Sequence, residues 1–444
     1  MRPVELIEML EARERRAMRQ QELLRQYQRS LVSFTMNIAG PVKNSEEIAW
    51  GFQYGSGLLL RQLDRVKAAV LHQESRSEVT GCEAFFVVDL APAPLKALMV
   101  ELEENLELGR LFDLDVISVD GEKLERETER CCIICGKPGK GCARSRAHSV
   151  AELQEKTYAI LKRAQEQWKR ETAGELACRA LLYEACTTPK PGLVDCRNNG
   201  SHRDMNLFSF LSSAAALQPY FMECVQIGLD TASAPPRDTF AALRWPGKRA
   251  ELRMLDVTGG INTHKGAIFT MGVLCGALGR LELRLWNEPA CILRECAAMT
   301  QGLTAEELRP GAQMQTAGER AFQQYGTLGI RGQIEAGLPS VLLYGLPVFE
   351  RALRNGKTTE EAGCAALLAL IAHTEDTNLL KRGGIEGQQW AAEQAETLLR
   401  KGPQLTKAML ESLDRDFMER NLSPGGAADL LAVCYFLYFL KNEV

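Results

Sequence analysis

A chain of 444 residues is too long for one ordinary core and implies two or three domains. With 45% hydrophobic residues, 25% charged residues and a formal net charge of −4, it has a globular make-up and no overall electrostatic signature of nucleic-acid binding. Apolar runs such as LLAVCYFLYFL are shorter than the roughly 20 residues of a membrane span. The charged start MRPVELIEMLEARERRAMRQQELLRQYQ has no signal-peptide core, and fourteen cysteines in that setting are expected as reduced thiols in the cytoplasm.

Residues 5–30 have the spacing of an amphipathic helix, with Leu6, Met9, Leu10, Met18, Leu23 and Leu24 set among Arg and Glu. LVSFTMNIAGPVK starts as a strand and is broken by Gly40-Pro41, and AFFVVDLAPAP reads as a second strand ending at Pro92. LKALMVELEENLELG is a helix stopped by Gly109. RLFDLDVISVDGEKLERE reads as a strand, an Asp120-Gly121 turn and a return strand. This alternation predicts an α/β or α+β domain.

From about residue 150 helical spacing takes over. A helix begins at Ser149, with Glu152 placed for a capping box, and long helical patterns then alternate with short Gly- and Pro-containing loops. No strand is expected after residue 200. The predicted division, near residue 170, gives a first domain of 1–168 and a larger, all-α domain of 169–444.

In GRLFDLDV, a strand's period of two puts Asp113 and Asp115 on one face, with Phe112, Leu114 and Val116 buried on the other. Such a pair is either a seat for Mg2+, which takes oxygen ligands and holds substrate phosphates, or a solvated acidic edge. Downstream, RCCIICGKPGKGCARSRAHS sets Cys132, Cys135, Cys142 and His148 at spacings compatible with a zinc site of three cysteines and one histidine. The middle spacer is short and Cys131 makes the register ambiguous. A redox pair without a thioredoxin-like βαβ context, and buried thiols beside a basic loop (Arg130, Lys137, Lys140, Arg144, Arg146), are the alternatives.

The loops of the helical half are rich in polar residues. EACTTPKPGLVDCRNNGSHRDMN holds Glu184, Lys190, Asp195, His202 and Asp204. MLDVTGGINTHKGAIF offers Thr258, Asn262, Thr263, His264 and Lys265 just before an apolar helix, whose N-terminal amides could receive an anion. Each loop alone also reads as a capped helix boundary; five in one domain weaken that reading. There is no G-x4-G-K-[ST] motif, which excludes a P-loop.

Two resemblances sharpen these readings. LEARERRAMRQQELL, LVSFTMNIAGPVKNS, GRLFDLDVISVDGEKLER and RCCIICGKPGKGCARSRAHSVAEL together resemble the apo-citrate lyase phosphoribosyl-dephospho-CoA transferase family over residues 5–165. The resemblance implies a nucleotidyltransferase-like domain. It would move the phosphoribosyl-dephospho-CoA group from a triphosphate precursor to a serine of the citrate lyase acyl carrier (gamma) subunit, releasing diphosphate. Asp113 and Asp115 would hold Mg2+, a third carboxylate would be Asp89, Asp120 or Glu125, and Lys43 and Arg126 would contact phosphate.

PKPGLVD, GSHRDM, TGGINTHKGAIF, DTNLLKRGG and SPGGAADLLA resemble, in order over about 175–440, the all-helical triphosphoribosyl-dephospho-CoA synthase family. That implies joining ATP to 3'-dephospho-CoA: a ribose 2'-hydroxyl attacks the anomeric carbon of ATP and adenine leaves. By the same resemblance, Lys190, Lys265 and Arg382 would bind phosphates, with Asn262, Arg331 and Asn378 also in the substrate site. Asp195, Asp204, Asp376 and Asp429 would divide between Mg2+ ligation and base, and His202 and His264 would donate protons or ligate. Where the family has RGEA, this chain has Arg331-Gly332-Gln333-Ile334, so Glu335 is the carboxylate left to replace the missing one. Two rival readings are an N-glycosidic hydrolase of nucleotides or ADP-ribose, and a zinc-stapled module that holds a carrier protein.

Overall fold

The computed structural model describes residues 2–308 and 317–444. The chain divides into two compact units, Met1–Trp168 and Lys169–Val444, with the division inside one long helix.

In the first unit the elements run α1 (Leu6–Tyr27), β1 (Ser30–Met36), α2 (Glu46–Arg65), β2 (Val70–Glu78), β3 (Gly81–Val88), α3 (Pro92–Glu104), β4 (Phe112–Ile117), α4 (Gly139–Ser145) and the first part of α5 (Val150–Cys186). The four strands form one antiparallel sheet in the order β2-β3-β1-β4, so the unit is α+β. One face carries Val32, Phe34, Ala84, Phe86, Val88, Leu114 and Val116. It packs against Ile48, Phe52 and Leu59 of α2, Leu95 and Met99 of α3, and Ile160 and Leu161 of α5. Each of these large side chains contributes about 1.5–3 kcal/mol on burial. The opposite face is apolar only where Leu31, Phe85, Val87 and Ile117 meet Leu23 and Leu24 of α1.

The β4 edge, which has no neighbouring strand, is satisfied by side chains and a loop. Glu103 accepts the Leu114 N–H at 2.8 Å, Lys96 Nζ donates to the Leu114 carbonyl at 3.1 Å, and the Leu124 N–H donates to the Val116 carbonyl at 2.9 Å. The return strand expected after Asp120-Gly121 is reduced to a single bridge between Ile117 and Lys123. The charged text after Leu124 offers no alternating apolar face to extend it. Helix α3 stops at Glu104, before Gly109, and Leu108–Leu111 forms a 3-10 turn.

The second unit is helical throughout its described residues. It continues with α6 (Leu207–Asp230), α7 (Pro236–Thr258), α8 (Lys265–Arg280), α9 (Pro289–Thr300), α10 (Leu303–Glu307), α11 (Ala317–Tyr325), α12 (Gly329–Glu335), α13 (Leu346–Arg354), α14 (Thr359–His373), α15 (Thr377–Leu399), α16 (Lys407–Glu419) and α17 (Gly425–Glu443). Buried residues run along most of α8, α14 and α17, as expected of central helices. Helices α6 and α8 cross closely at Gly228, where an added Cβ would come 2.1 Å from the Gly276 carbonyl oxygen. No described helix is long and apolar enough to cross a membrane. The capping box at Ser149 forms as expected: Glu152 accepts the Ser149 N–H at 2.8 Å, and Ser149 Oγ accepts the Glu152 N–H at 3.2 Å.

Candidate active sites

On the sheet of the first unit, the period of two does what the spacing requires. Phe112, Leu114 and Val116 are buried, while Asp113 and Asp115 share the α1 side with Thr35 and Ser33, their partners in register on β1. Asp113 is pushed up from the usual carboxylate range by burial and by Asp115 beside it. Lys123 forms an ion pair with Asp115 at 2.5 Å.

Across β1, Glu83 stands in register with Thr35, so it shares the row of Asp113 and is held by Arg16 of α1 at 2.8 Å. Of the three carboxylates weighed as a third partner, Asp89 pairs with Arg29, and Asp120 and Glu125 are exposed. Glu83 could not be found from sequence alone, because only the register of β3 brings it into the row.

Lys43 donates to the Ile38 carbonyl at 2.6 Å, and Arg126 faces Glu103 and Glu104. Both cations therefore fasten loop to core in this structure. After Arg126 in the chain, Cys132, Cys135, Cys142 and His148 converge, with one ligand atom from each lying within 4.8 Å of all the others.

In the second unit the loops between helices open on one cavity of about 720 Å³. Its described lining includes Lys190, His202, Asn262, His264, Lys265, Arg331, Asn378, Arg382 and Asp429 from the sequence reading. Among the described residues, eight Lys or Arg and five Asp or Glu line it, an excess of positive charge that suits a polyanionic ligand. Asp195, Asp204 and Asp376 lie outside the lining.

Each of those three has a visible role or place. Asp195 accepts the backbone N–H groups of Lys190, Arg197 and Asn198 at 2.7–3.1 Å and so shapes its loop. Asp376 accepts from Asn378 and Leu379 at the start of α15 and from Ala427 at the start of α17, tying two helix N-termini together. Asp204 is exposed.

The back wall is a buried charge cluster. Lys190 Nζ donates to Glu184 Oε1 at 2.5 Å and to the Glu184 carbonyl at 2.7 Å. Asp429 on α17 is half-buried at the cavity wall, and desolvation, Glu184 and Asp376 raise its proton affinity well above the ordinary range. It can lie this deep because Gly266 opens the first turn of α8: a Cβ there would stand 1.9 Å from Asp429 Oδ2.

His264 precedes that turn. Its Nδ1 is 2.8 Å from Ser213 Oγ, its Nε2 is buried without a partner, and burial and then Lys190 push its pKa down to about 3. His202 is held on both nitrogens. Arg382 can only donate, so Nδ1, at 3.3 Å, is the acceptor and Nε2–H points to Ser423 Oγ at 2.8 Å. Arg382 is anchored further by the Ser201 carbonyl at 2.8 Å.

Gln333 lines the cavity, whereas Glu335 accepts the N–H groups of Gly302 and Thr304 at 2.7 and 2.9 Å. The latter therefore serves α10 and does not replace the missing carboxylate. Arg244, Lys248 and Glu251, missed in the sequence, line the cavity from α7. Their i, i+4, i+7 spacing is the signal that marks them as one face.

Comparison with known proteins matches a different family to each part of the chain. Residues 170–444 match the model of the CitG family, ATP:dephospho-CoA triphosphoribosyl transferase. Residues 4–164 match that of the CitX family, apo-citrate lyase phosphoribosyl-dephospho-CoA transferase. The chain is 38% identical to Protein CitXG of Haemophilus influenzae, covering 99% of this chain and 97% of that protein. It is 33% identical to Protein CitXG of Leuconostoc mesenteroides subsp. cremoris, covering 99% and 98%. It is 45% identical to a probable 2-(5''-triphosphoribosyl)-3'-dephosphocoenzyme-A synthase of Citrobacter koseri, covering 59% of this chain and 88% of that one. The chain therefore belongs to the CitXG family, a CitX domain and a CitG domain in one polypeptide.

Proposed function

We propose that this chain is a bifunctional transferase that matures citrate lyase: the second unit builds the prosthetic-group precursor and the first attaches it to the acyl carrier subunit. The observation that carries this reading is the full-length match to two-domain relatives. It is supported by a cationic cavity backed by buried carboxylates in one unit and an acidic strand pair in the other.

In the second unit, Lys265 and Arg382 face the cavity and suit the triphosphate of ATP. The 2'-hydroxyl of dephospho-CoA attacks the anomeric carbon of the ATP ribose and the bond to adenine breaks. The hydroxyl's proton passes to a cavity carboxylate, and adenine takes up a proton as it leaves. His264, neutral near pH 7, serves as a hydrogen-bond donor or acceptor through Nε2 and not as a proton source. The like-charged pair of half-buried Asp429 and buried Glu184 fits Mg2+, which would neutralise phosphate charge there.

In the first unit, a serine hydroxyl of the carrier attacks the α-phosphorus of the precursor and diphosphate departs. Asp113, desolvated beside Asp115, fits a second Mg2+ that would offset the charge on the leaving group. A small sheet with a carboxylate pair on an outer strand supports a nucleotidyltransferase-like domain. In this reading Asp195 and Asp376 position the cavity's loops and helices rather than touch substrate.

The test is incubation with ATP, 3'-dephospho-CoA, Mg2+ and apo-carrier, followed by mass spectrometry of the carrier and chromatography of adenine. A carrier heavier by the phosphoribosyl-dephospho-CoA group, with adenine released only when dephospho-CoA is present, supports the reading. Adenine release from ATP alone would establish the hydrolase instead. An unmodified carrier with no adenine would leave only the interaction module.

A further inference from the structure

We propose that Cys132, Cys135, Cys142 and His148 bind one zinc ion in a closed structural shell, and that this ion holds residues 118–149 over the outer edge of β4. Three parts of the chain meet there. Cys132 and Cys135 come from a tight knuckle in which the Cys132 N–H donates to the Lys137 carbonyl at 2.7 Å and the Gly136 N–H to the Cys132 carbonyl at 3.1 Å. Cys142 comes from α4, and His148 from the residue before the Ser149 cap of α5.

The geometry suits a tetrahedral ion. Zn–S bonds of about 2.3 Å and Zn–N bonds of about 2.0–2.1 Å place ligand atoms about 3.6–3.8 Å apart. Cys135 and Cys142 have their sulfurs 3.4 Å apart, far beyond the roughly 2.05 Å of a disulfide. Two further observations point to a ligand. His148 Nε2 is buried and has no hydrogen-bond partner. The Ile134 N–H points at Cys132 Sγ at 3.4 Å, an amide aimed at a sulfur that carries negative charge when it ligates metal. Cys131 lies outside the cluster, and its carbonyl accepts from Arg110.

The surroundings explain why an ion is needed. Among the described residues of 118–149, none is buried; Leu124 and Ile133 only rest against the core. A segment with so little apolar burial cannot offset the entropy of its own ordering. Yet it supplies Lys123 to Asp115 and Arg130 to Glu103, and Glu103 in turn holds the Leu114 N–H between the two aspartates. A closed zinc shell provides the missing free energy of folding. The effect on the Asp113/Asp115 site rests on the transferase reading; the metal itself does not.

The experiment uses the full-length chain purified without chelator, with zinc measured by plasma mass spectrometry and by mercurial release into a colorimetric indicator. The wild-type chain should carry about one zinc, Cys135→Ser and His148→Ala at least about tenfold less, and Cys131→Ser the wild-type amount. Adenine release from the same preparations reports whether the second unit is folded. Transfer from supplied precursor to the carrier should fall with zinc content.

Undiminished zinc in Cys135→Ser overturns the ligand set. A wild-type chain that stays metal-free after incubation with zinc chloride overturns the site, as does a Cys135–Cys142 disulfide in freshly isolated protein. Zinc loss with undiminished transfer overturns the stapling role. Failure of transfer in zinc-loaded wild type counts against the transferase reading instead.

Discussion

Asp113 and Asp115 stand on the polar face of a four-stranded sheet, with Lys123 at 2.5 Å from Asp115. Asp429 stands half-buried at the cavity wall of a helical unit, with Glu184 and Asp376 as like-charged neighbours and Gly266 backbone against it. Both regions face phosphates in the proposed reactions, yet strand register builds the first and helix termini build the second. The difference lies in desolvation. On the sheet, burial also raises Asp113, but the Lys123 cation offsets part of that cost. The helical cluster has one buried lysine, already engaged by Glu184, and holds its charges at the expense of stability.

That contrast can be broken most sharply at Asp429. Asp429→Asn should lower adenine formation about a thousandfold while leaving transfer from supplied precursor unchanged. Burial raises Asp429, so its ionised form weighs more against the fold as pH rises, and the neutral variant should melt no lower than wild type in metal-free buffer. A lower melting temperature would show that the cluster stabilises the unit.

Asp113→Asn should reverse the pattern, with transfer to the carrier down about a hundredfold and adenine formation unchanged. Equal loss of both activities would show that the two sites are not independent.

Smaller effects are expected around the rim. Lys265→Ala, which also releases Glu251 at 2.8 Å, should raise the KM for ATP about tenfold with little change in kcat. A loss confined to kcat would place Lys265 at the reacting centre.

The mildest effect is on pH stability. Folded His264 holds a proton only near pH 3, against 6.5 when unfolded, so between those values the unfolded chain binds more protons. The stabilisation from neutral His264 is therefore complete above pH 6.5 and is lost as the pH falls toward 3, by at most about 1.4 kcal/mol per pH unit. Melting curves of His264→Gln should show a shallower decline over that window; an unchanged slope would mean another group governs it.

What could be read directly in the sequence is what local spacing encodes. The two-residue step of Asp113 and Asp115, the Ser149–Glu152 box and the Cys132/Cys135/Cys142/His148 set each meet in space as their spacing implies. Features that depend on partners distant in sequence were hidden. β2 pairs with β3 on a mostly exposed edge, so VLHQESRSE lacks a buried face to announce it. The caps that Lys96 and Glu103 place on β4 depend on how α3 packs. In the helical unit, Asp376 and Asp429 both sit near helix starts and look alike in sequence. Only packing shows that the first is saturated by backbone N–H groups while the second faces the cavity.

In the proposed function, two separate sites in one chain carry out consecutive steps. Complementation tests it most directly. Asp429→Asn and Asp113→Asn chains are each incubated with ATP, 3'-dephospho-CoA, Mg2+ and apo-carrier, then mixed, and carrier mass is followed over time. Neither variant alone should modify the carrier, and the mixture should do so through precursor that diffuses from one chain to the other. A mixture as inactive as its parts, or full modification by either variant alone, would show that the two sites do not carry out consecutive steps.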